Sequence, residues 1–112
     1  MRKIETQMNR AIRAGRNLSS SNTMVKTECD IHGEQSKVFL HGNHIATVTD
    51  DALTLYSGGG WFTPTTKSRL NALINEFCDG TKTGIFQKNF NWFVRAFGNV
   101  TPFVDGISIP IL

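Results

Sequence analysis

Two short stretches of this chain interleave aromatic rings with basic side chains, and that combination has a chemistry. The first is Trp61-Phe62-Thr63-Pro64-Thr65-Thr66-Lys67-Ser68-Arg69, entered through Gly58-Gly59-Gly60. The second is Phe86-Gln87-Lys88-Asn89-Phe90-Asn91-Trp92-Phe93-Val94-Arg95. A ring can stack on a nucleobase while a neighbouring cation holds the next phosphate, which is how single-stranded nucleic acid is gripped. The same rings would equally well fill the core of a small β-sheet.

Other chemistries find less support in the residue types. A nucleophilic triad needs a Ser or Cys beside a base and an orienting acid, and no local context marks such a nucleophile. Gly58-Gly59-Gly60 lacks the Lys-Ser/Thr that follows the spacer of a phosphate loop, so it reads as a flexible turn. Cys29 and His32 are three apart, as are His41 and His44, and two such pairs across a hairpin could hold zinc tetrahedrally. Structural zinc sites usually carry more cysteine, and His41 and His44 fall on opposite faces of an extended chain. No catalytic residue, metal ligand or cofactor is therefore assigned.

The elements that must position the aromatic-basic stretches follow from periodicity. Residues 2–14 read as a helix, with Ile4, Met8, Ala11 and Ile12 on a narrow apolar stripe and Arg10, Arg13 and Arg16 on a basic one. Gly15 suits the helix end. Residues 17–22 are polar and predict a flexible link. Strands are expected over 23–29, 37–41, 44–49 and 52–56, with Ile45 and Thr47 on one face and Ala46 and Val48 on the other. Leu70, Leu73, Ile74 and Phe77 give the spacing of one buried helix face. Thr65 or Thr66 is the expected N-cap of that helix, after Pro64. A strand around Ile85-Phe86, a longer one over 90–97 and a last one over 100–104 complete the body. Alternation along the long strand would put Lys88, Phe90, Trp92 and Val94 on one face, and Asn89, Asn91, Phe93 and Arg95 on the other.

Composition sets the outer bounds. The chain has 112 residues and a formal net charge of +3, a size that suggests one domain. The basicity is local: residues 1–16 hold Arg2, Lys3, Arg10, Arg13 and Arg16 against Glu5 alone, and the remainder is near neutral. Such a segment attracts phosphate-rich or acidic partners. No apolar run approaches the ~20 residues needed to span a membrane. No apolar stretch follows the basic N-terminus, so neither a secretory signal nor a membrane role is expected. Cys29 and Cys78 are then expected to be reduced thiols. The end of the chain, Ile107-Ser108-Ile109-Pro110-Ile111-Leu112, is too apolar to be left free. It is expected to pack on the body or on a second subunit.

Several segments also resemble a group of small proteins of tailed bacteriophages. They are Met1-Arg2-Lys3-Ile4-Glu5, Asn22-Thr23, Val38-Phe39-Leu40-His41-Gly42-Asn43-His44-Ile45-Ala46, Thr65-Thr66-Lys67-Ser68-Arg69-Leu70-Asn71-Ala72-Leu73, Phe86-Gln87-Lys88-Asn89-Phe90-Asn91-Trp92-Phe93-Val94 and Pro102-Phe103-Val104-Asp105-Gly106. The tail after Gly106 falls outside the shared pattern. The resemblance implies a phage protein acting in a host bacterial cytoplasm, and it brings no activity or catalytic residue with it.

Together these readings predict an α+β fold. One antiparallel sheet carries a central amphipathic helix, with a basic helix at the N-terminus. The expected divisions are helix 1–16, link 17–22, body 23–106 and tail 107–112. The leading functional expectation is a non-enzymatic single-stranded DNA-binding protein that assists phage transcription or replication beside phage or host polymerase machinery. Arg2, Lys3, Arg10, Arg13, Arg16, Lys67, Arg69, Lys88 and Arg95 would hold phosphates, and Trp61, Phe90 and Trp92 would stack on bases. The alternative is a protein-interaction module that inhibits or redirects a host enzyme. The apolar tail suggests a homo-oligomer in either case.

Overall fold

The first helix, α1 (Lys3–Ala14), forms because Met8, Asn9, Ala11 and Ile12 line one face and are buried together with Glu5. It stops at Gly15, whose φ of +65° is left-handed. The Gly15 N–H donates to Ile12 O at 3.2 Å and the Arg16 N–H to Ala11 O at 2.9 Å, which satisfies two of the last four carbonyls. The computed structural model that shows this describes residues 2–31, 33–60 and 62–111.

Residues 17–22 do not form a loose link. Leu18–Ser20 is a short strand, β1, paired antiparallel with β2 (Thr23–Asp30), and Ser20 lies opposite Thr23. Ser21 turns the corner with a φ of +53°. The chain then runs through β3 (Gly33–Leu40), β4 (Asn43–Val48) and β5 (Ala52–Leu55) as an antiparallel meander. The register shifts opposite Val38 and Phe39: Val38 pairs with Ala46 but Phe39 with His44. This bulge breaks the expected alternation, so Ile45 and Ala46 are both buried.

The second helix, α2 (Pro64–Phe77), buries Leu70, Leu73, Ile74 and Phe77 as the spacing predicts. Its cap differs from the expectation by two or three residues. Thr63 is the N-cap, its hydroxyl accepting from the Thr66 N–H at 3.1 Å, and Pro64 is the first helical residue, a position where proline loses nothing. Past Cys78 the chain forms a separate three-stranded antiparallel sheet of β6 (Gly84–Lys88), β7 (Asn91–Ala96) and β8 (Asn99–Pro102). The single expected sheet is therefore two. The long strand expected over 90–97 starts at Asn91, because Asn89 and Phe90 form a hairpin turn. Asn71 of α2 clamps the outer edge of β6: its amide donates to Ile85 O at 2.9 Å and accepts from the Ile85 N–H at 2.8 Å.

The apolar tail is the sixth strand of the first sheet. This strand, β9 (Ile107–Pro110), pairs with β5 in the order β1-β2-β3-β4-β5-β9, and Ile109 is buried opposite Leu53. Of the two fates expected for the tail, packing on its own body is the one observed, so the tail gives no ground for an oligomer. Residues of both helices and both sheets share one hydrophobic cluster. Truncation after Gly106 is expected to cost at least the burial of Ile109, about 1.5–3 kcal/mol, and to bare the edge of β5. A lowered thermal midpoint, with a rising scattering signal from exposed edges, is the expected readout; an unchanged melt would show β9 to be dispensable.

Candidate nucleic-acid interface

The β6–β7 hairpin decides which groups share a face. Residues paired across strands project to the same side. Lys88 pairs with Asn91, Phe86 with Phe93, and Gly84 with Arg95. The two-residue turn thus moves Lys88 away from the face of Trp92 and onto that of Phe93 and Arg95. Across β7 and β8, Phe93 pairs with Pro102 and Arg95 with Val100. The outer face of this sheet therefore carries Phe86, Lys88, Asn91, Phe93, Arg95 and Val100. Phe86 and Phe93 are half-buried against each other, stacked with centroids 5.7 Å apart, while Lys88 and Arg95 are exposed. Phe86 and Phe93 were not assigned a role from sequence, because only the hairpin register brings them together.

The inner face is core. Trp92, expected to stack on a base, is 7 % exposed. It sits edge-on to Phe62 at 4.9 Å and to Phe103 at 5.9 Å, so its ring is already used. Phe90 stands at the hairpin tip, 95 % exposed, rather than in a strand. Beside it an open groove of about 520 Å³ is lined by Phe62, Trp92, Phe93, Pro102 and Phe103. Trp61 lies outside the described residues.

Arg69 is the clearest correction. It is 3 % exposed, and its Nη1 donates to Glu5 Oε2 at 2.8 Å. Its Nε donates to Thr23 Oγ1 at 3.1 Å and its Nη2 to Asn22 Oδ1 at 3.3 Å. The Ser68 hydroxyl donates to the same Glu5 oxygen at 2.6 Å, and the Arg2 N–H to Glu5 Oε1 at 3.3 Å. A guanidinium committed in this way is unavailable to phosphate. Burial pushes the Glu5 carboxyl up, but the hydrogen bonds from Ser68, Arg69 and the Arg2 N–H, with the Arg69 charge, outweigh it and hold Glu5 below the ordinary carboxylate value. Three of the segments that carry the phage resemblance meet in this network: the N-terminal block, Asn22-Thr23 and the Lys67-Ser68-Arg69 run. They staple α1 and the β1–β2 turn to α2.

At the start of α2 two backbone donors already have partners. The Thr66 N–H goes to the Thr63 hydroxyl, the Lys67 N–H goes to Thr63 O at 3.1 Å, and Pro64 has none. Lys67 itself is half-buried. Gly58-Gly59-Gly60 is latched rather than loose. Asp105 accepts from the Ser57 N–H at 2.7 Å and from its hydroxyl at 3.2 Å, and the Gly60 N–H donates to Ser57 Oγ at 2.8 Å.

On α1, Arg13 is taken up by Glu76 at 2.7 Å and by the Phe77 ring, 4.7 Å from its guanidinium carbon. Arg2, Lys3, Arg10 and Arg16 are exposed, and none forms an ion pair among the described residues. They are carried by an element that leans on β1, β2 and α2, whereas the three-stranded sheet meets the body through α2. The proposed cations therefore form two groups rather than one patch.

The histidine-cysteine pattern does not converge. Cys29 lies opposite Glu34 and His41 follows Leu40, which lies opposite Thr23. Six strand residues separate these ends of the hairpin, about 20 Å. His44 Nε2 is within 2.9 Å of Ala46 O and 2.8 Å of Thr47 Oγ1, its ring lying between Phe39 and Tyr56. His32 lies outside the described residues. Cys29 is exposed and Cys78 buried, both as free thiols, and burial pushes the Cys78 thiol up.

Among the described residues no helix is long and apolar enough to cross a membrane. No curated protein and no solved structure matches the chain. A protein family does match, over residues 1–110, so the shared pattern runs on through β9 instead of ending at Gly106. On that match the chain belongs to the Kyanoviridae Gp96 protein family, a family of phage (cyanophage) proteins.

Proposed function

We propose that this phage protein is a non-enzymatic single-stranded DNA-binding protein, working in the host bacterial cytoplasm alongside replication or transcription. The observation that carries the reading is the outer face of the three-stranded sheet. It offers a stacked Phe86–Phe93 pair, with Lys88 and Arg95 projecting from the same side. Half-buried rings on an open sheet give bases a flat platform, and flanking cations take the phosphates. The electrostatics suit a polyanion: no carboxylate occurs from Gly80 to Val104, while Lys82, Lys88 and Arg95 do. Lys3 and Arg10 on α1, with Arg16 just past its end, supply a second basic surface for a longer strand.

A labelled oligonucleotide titrated at several salt concentrations tests the reading. Counterion release gives a log–log slope of about −0.7 per phosphate held on a single strand. Lys88 and Arg95 alone predict a slope of about −1.4 on the same rule, and a steeper one if α1 joins. Absence of binding at low salt removes the reading. The groove beside Trp92, walled by Phe62, Pro102 and Phe103, favours a second one, a module that docks on a host protein. A host-lysate partner retained through nuclease and high salt would support that alternative.

A further inference from the structure

Resting on the nucleic-acid reading, we propose that Phe90 is a wedge that stacks on the end of a duplex where a single strand leaves it. The protein would then recognise single-strand–double-strand junctions. Among the described residues three hairpins turn on two residues that both have positive φ: His41-Gly42 at +51° and +79°, Phe97-Gly98 at +55° and +77°, and Asn89-Phe90 at +52° and +66°. Such turns favour glycine at the second place, because a Cβ is strained there. Two of the three have it, and the third has a phenylalanine. The ring recovers nothing by packing, since it is 95 % exposed. An exposed aromatic held in a strained turn is unexplained by the fold and points to a use outside it.

The geometry narrows that use. Phe86 and Phe93 each lean on the other, so a base can reach only their free faces. Phe90 projects past the end of the sheet with both faces open. A ring of that kind suits the end of a base stack, where apolar side chains separate or cap base steps. Asn89, Asn91 and Lys88 surround it with groups that suit sugar and phosphate. The aromatic groove beside it can receive a base displaced from the terminal pair.

Fluorescence anisotropy on three labelled probes tests the proposal: a single strand, a blunt duplex, and the duplex with a single-stranded overhang. The native chain is expected to bind the overhang probe roughly tenfold tighter than the single strand, the scale of one base–aromatic stack. Phe90→Gly should lose roughly tenfold more affinity for the overhang probe than for the single strand, which removes the preference between them. The same variant should shift the folding equilibrium toward the native state by roughly fivefold, because the strain is gone. Phe97→Gly, which removes an exposed ring at the opposite end of β7, should keep the junction preference. Equal binding of the two probes by the native chain overturns the wedge, as does an equal loss on both probes in Phe90→Gly or a failure of that variant to gain stability. Failure of the native chain to bind any probe would instead remove the nucleic-acid reading itself.

Discussion

Arg69→Met is expected to destabilise the protein by about 3–5 kcal/mol, because it leaves the Glu5 carboxylate buried without its counter-ion. Both side chains of the pair are only 3 % exposed, so water cannot replace the lost guanidinium. Thr23 and Asn22 lose a donor in the same step. The double variant Glu5→Leu/Arg69→Met should recover much of the loss, since removing both charges also removes the desolvation penalty. Urea denaturation of the three proteins at neutral pH measures this. A loss below ~1 kcal/mol in Arg69→Met, within the range of a surface pair, would refute the structural role.

The pair also makes a signed prediction about pH. In the native protein the Glu5 pKa is held below the ordinary value of 4.5. Its contribution to stability is therefore fully present above the unfolded pKa and is lost as pH falls through the lower folded one. In Arg69→Met the hydrogen bond and the charge of Arg69 are gone, so the folded pKa of Glu5 should rise above that in the native protein. The variant's Glu5 then takes up its proton at a higher pH than the native one, so less of the penalty for its buried charge remains as pH falls. The stability gap between variant and native protein should thus be smaller at pH 4 than at pH 7.

The second large effect concerns binding. Phe86→Ala and Phe93→Ala are each expected to weaken oligonucleotide binding by about 1–3 kcal/mol, the range for one base–aromatic stack. The two rings touch, so the double variant need not show the sum. Stability should fall much less than in a core variant, because both rings are on the open face and only half-buried. Trp92→Ala provides the contrast. Its ring is locked against Phe62 and Phe103 on the inner face, so it should cost about 3–5 kcal/mol of folding stability. Oligonucleotide titration and urea unfolding of the same variants separate the two outcomes. Full affinity in the Phe86→Ala/Phe93→Ala protein would remove the sheet from the proposed interface.

Much of the architecture was legible because it depends on local periodicity. The apolar stripe of α2 and the β2–β5 meander follow from spacings of 3–4 and 2 residues along one segment. The α+β class follows from those elements. The faces of β7 were not legible. They depend on where the chain reverses, and Asn89-Phe90 lacks the glycine that usually announces such a reversal. Reading residues 88–97 as one extended run put Lys88 on the wrong side and credited Trp92 with an exposure that it does not have. Arg69 was misread for a related reason. A cation near a helix start looks like a phosphate ligand until a carboxylate 64 positions away is placed against it.

The aromatic-basic composition of residues 86–95, the basic character of α1 and the buried stripe of α2 were determined by the sequence alone, because residue type and local spacing suffice for them. Tertiary structure alone decided which members remain available. It withdrew Arg69 and Trp92 into a buried ion pair and the core, set Arg13 against Glu76 at the surface, and brought Phe86 and Phe93 together on an open face. It also turned the apolar tail into a strand against β5. Each of these outcomes depends on pairings between distant segments, and burial is a property of those pairings rather than of any one stretch of chain.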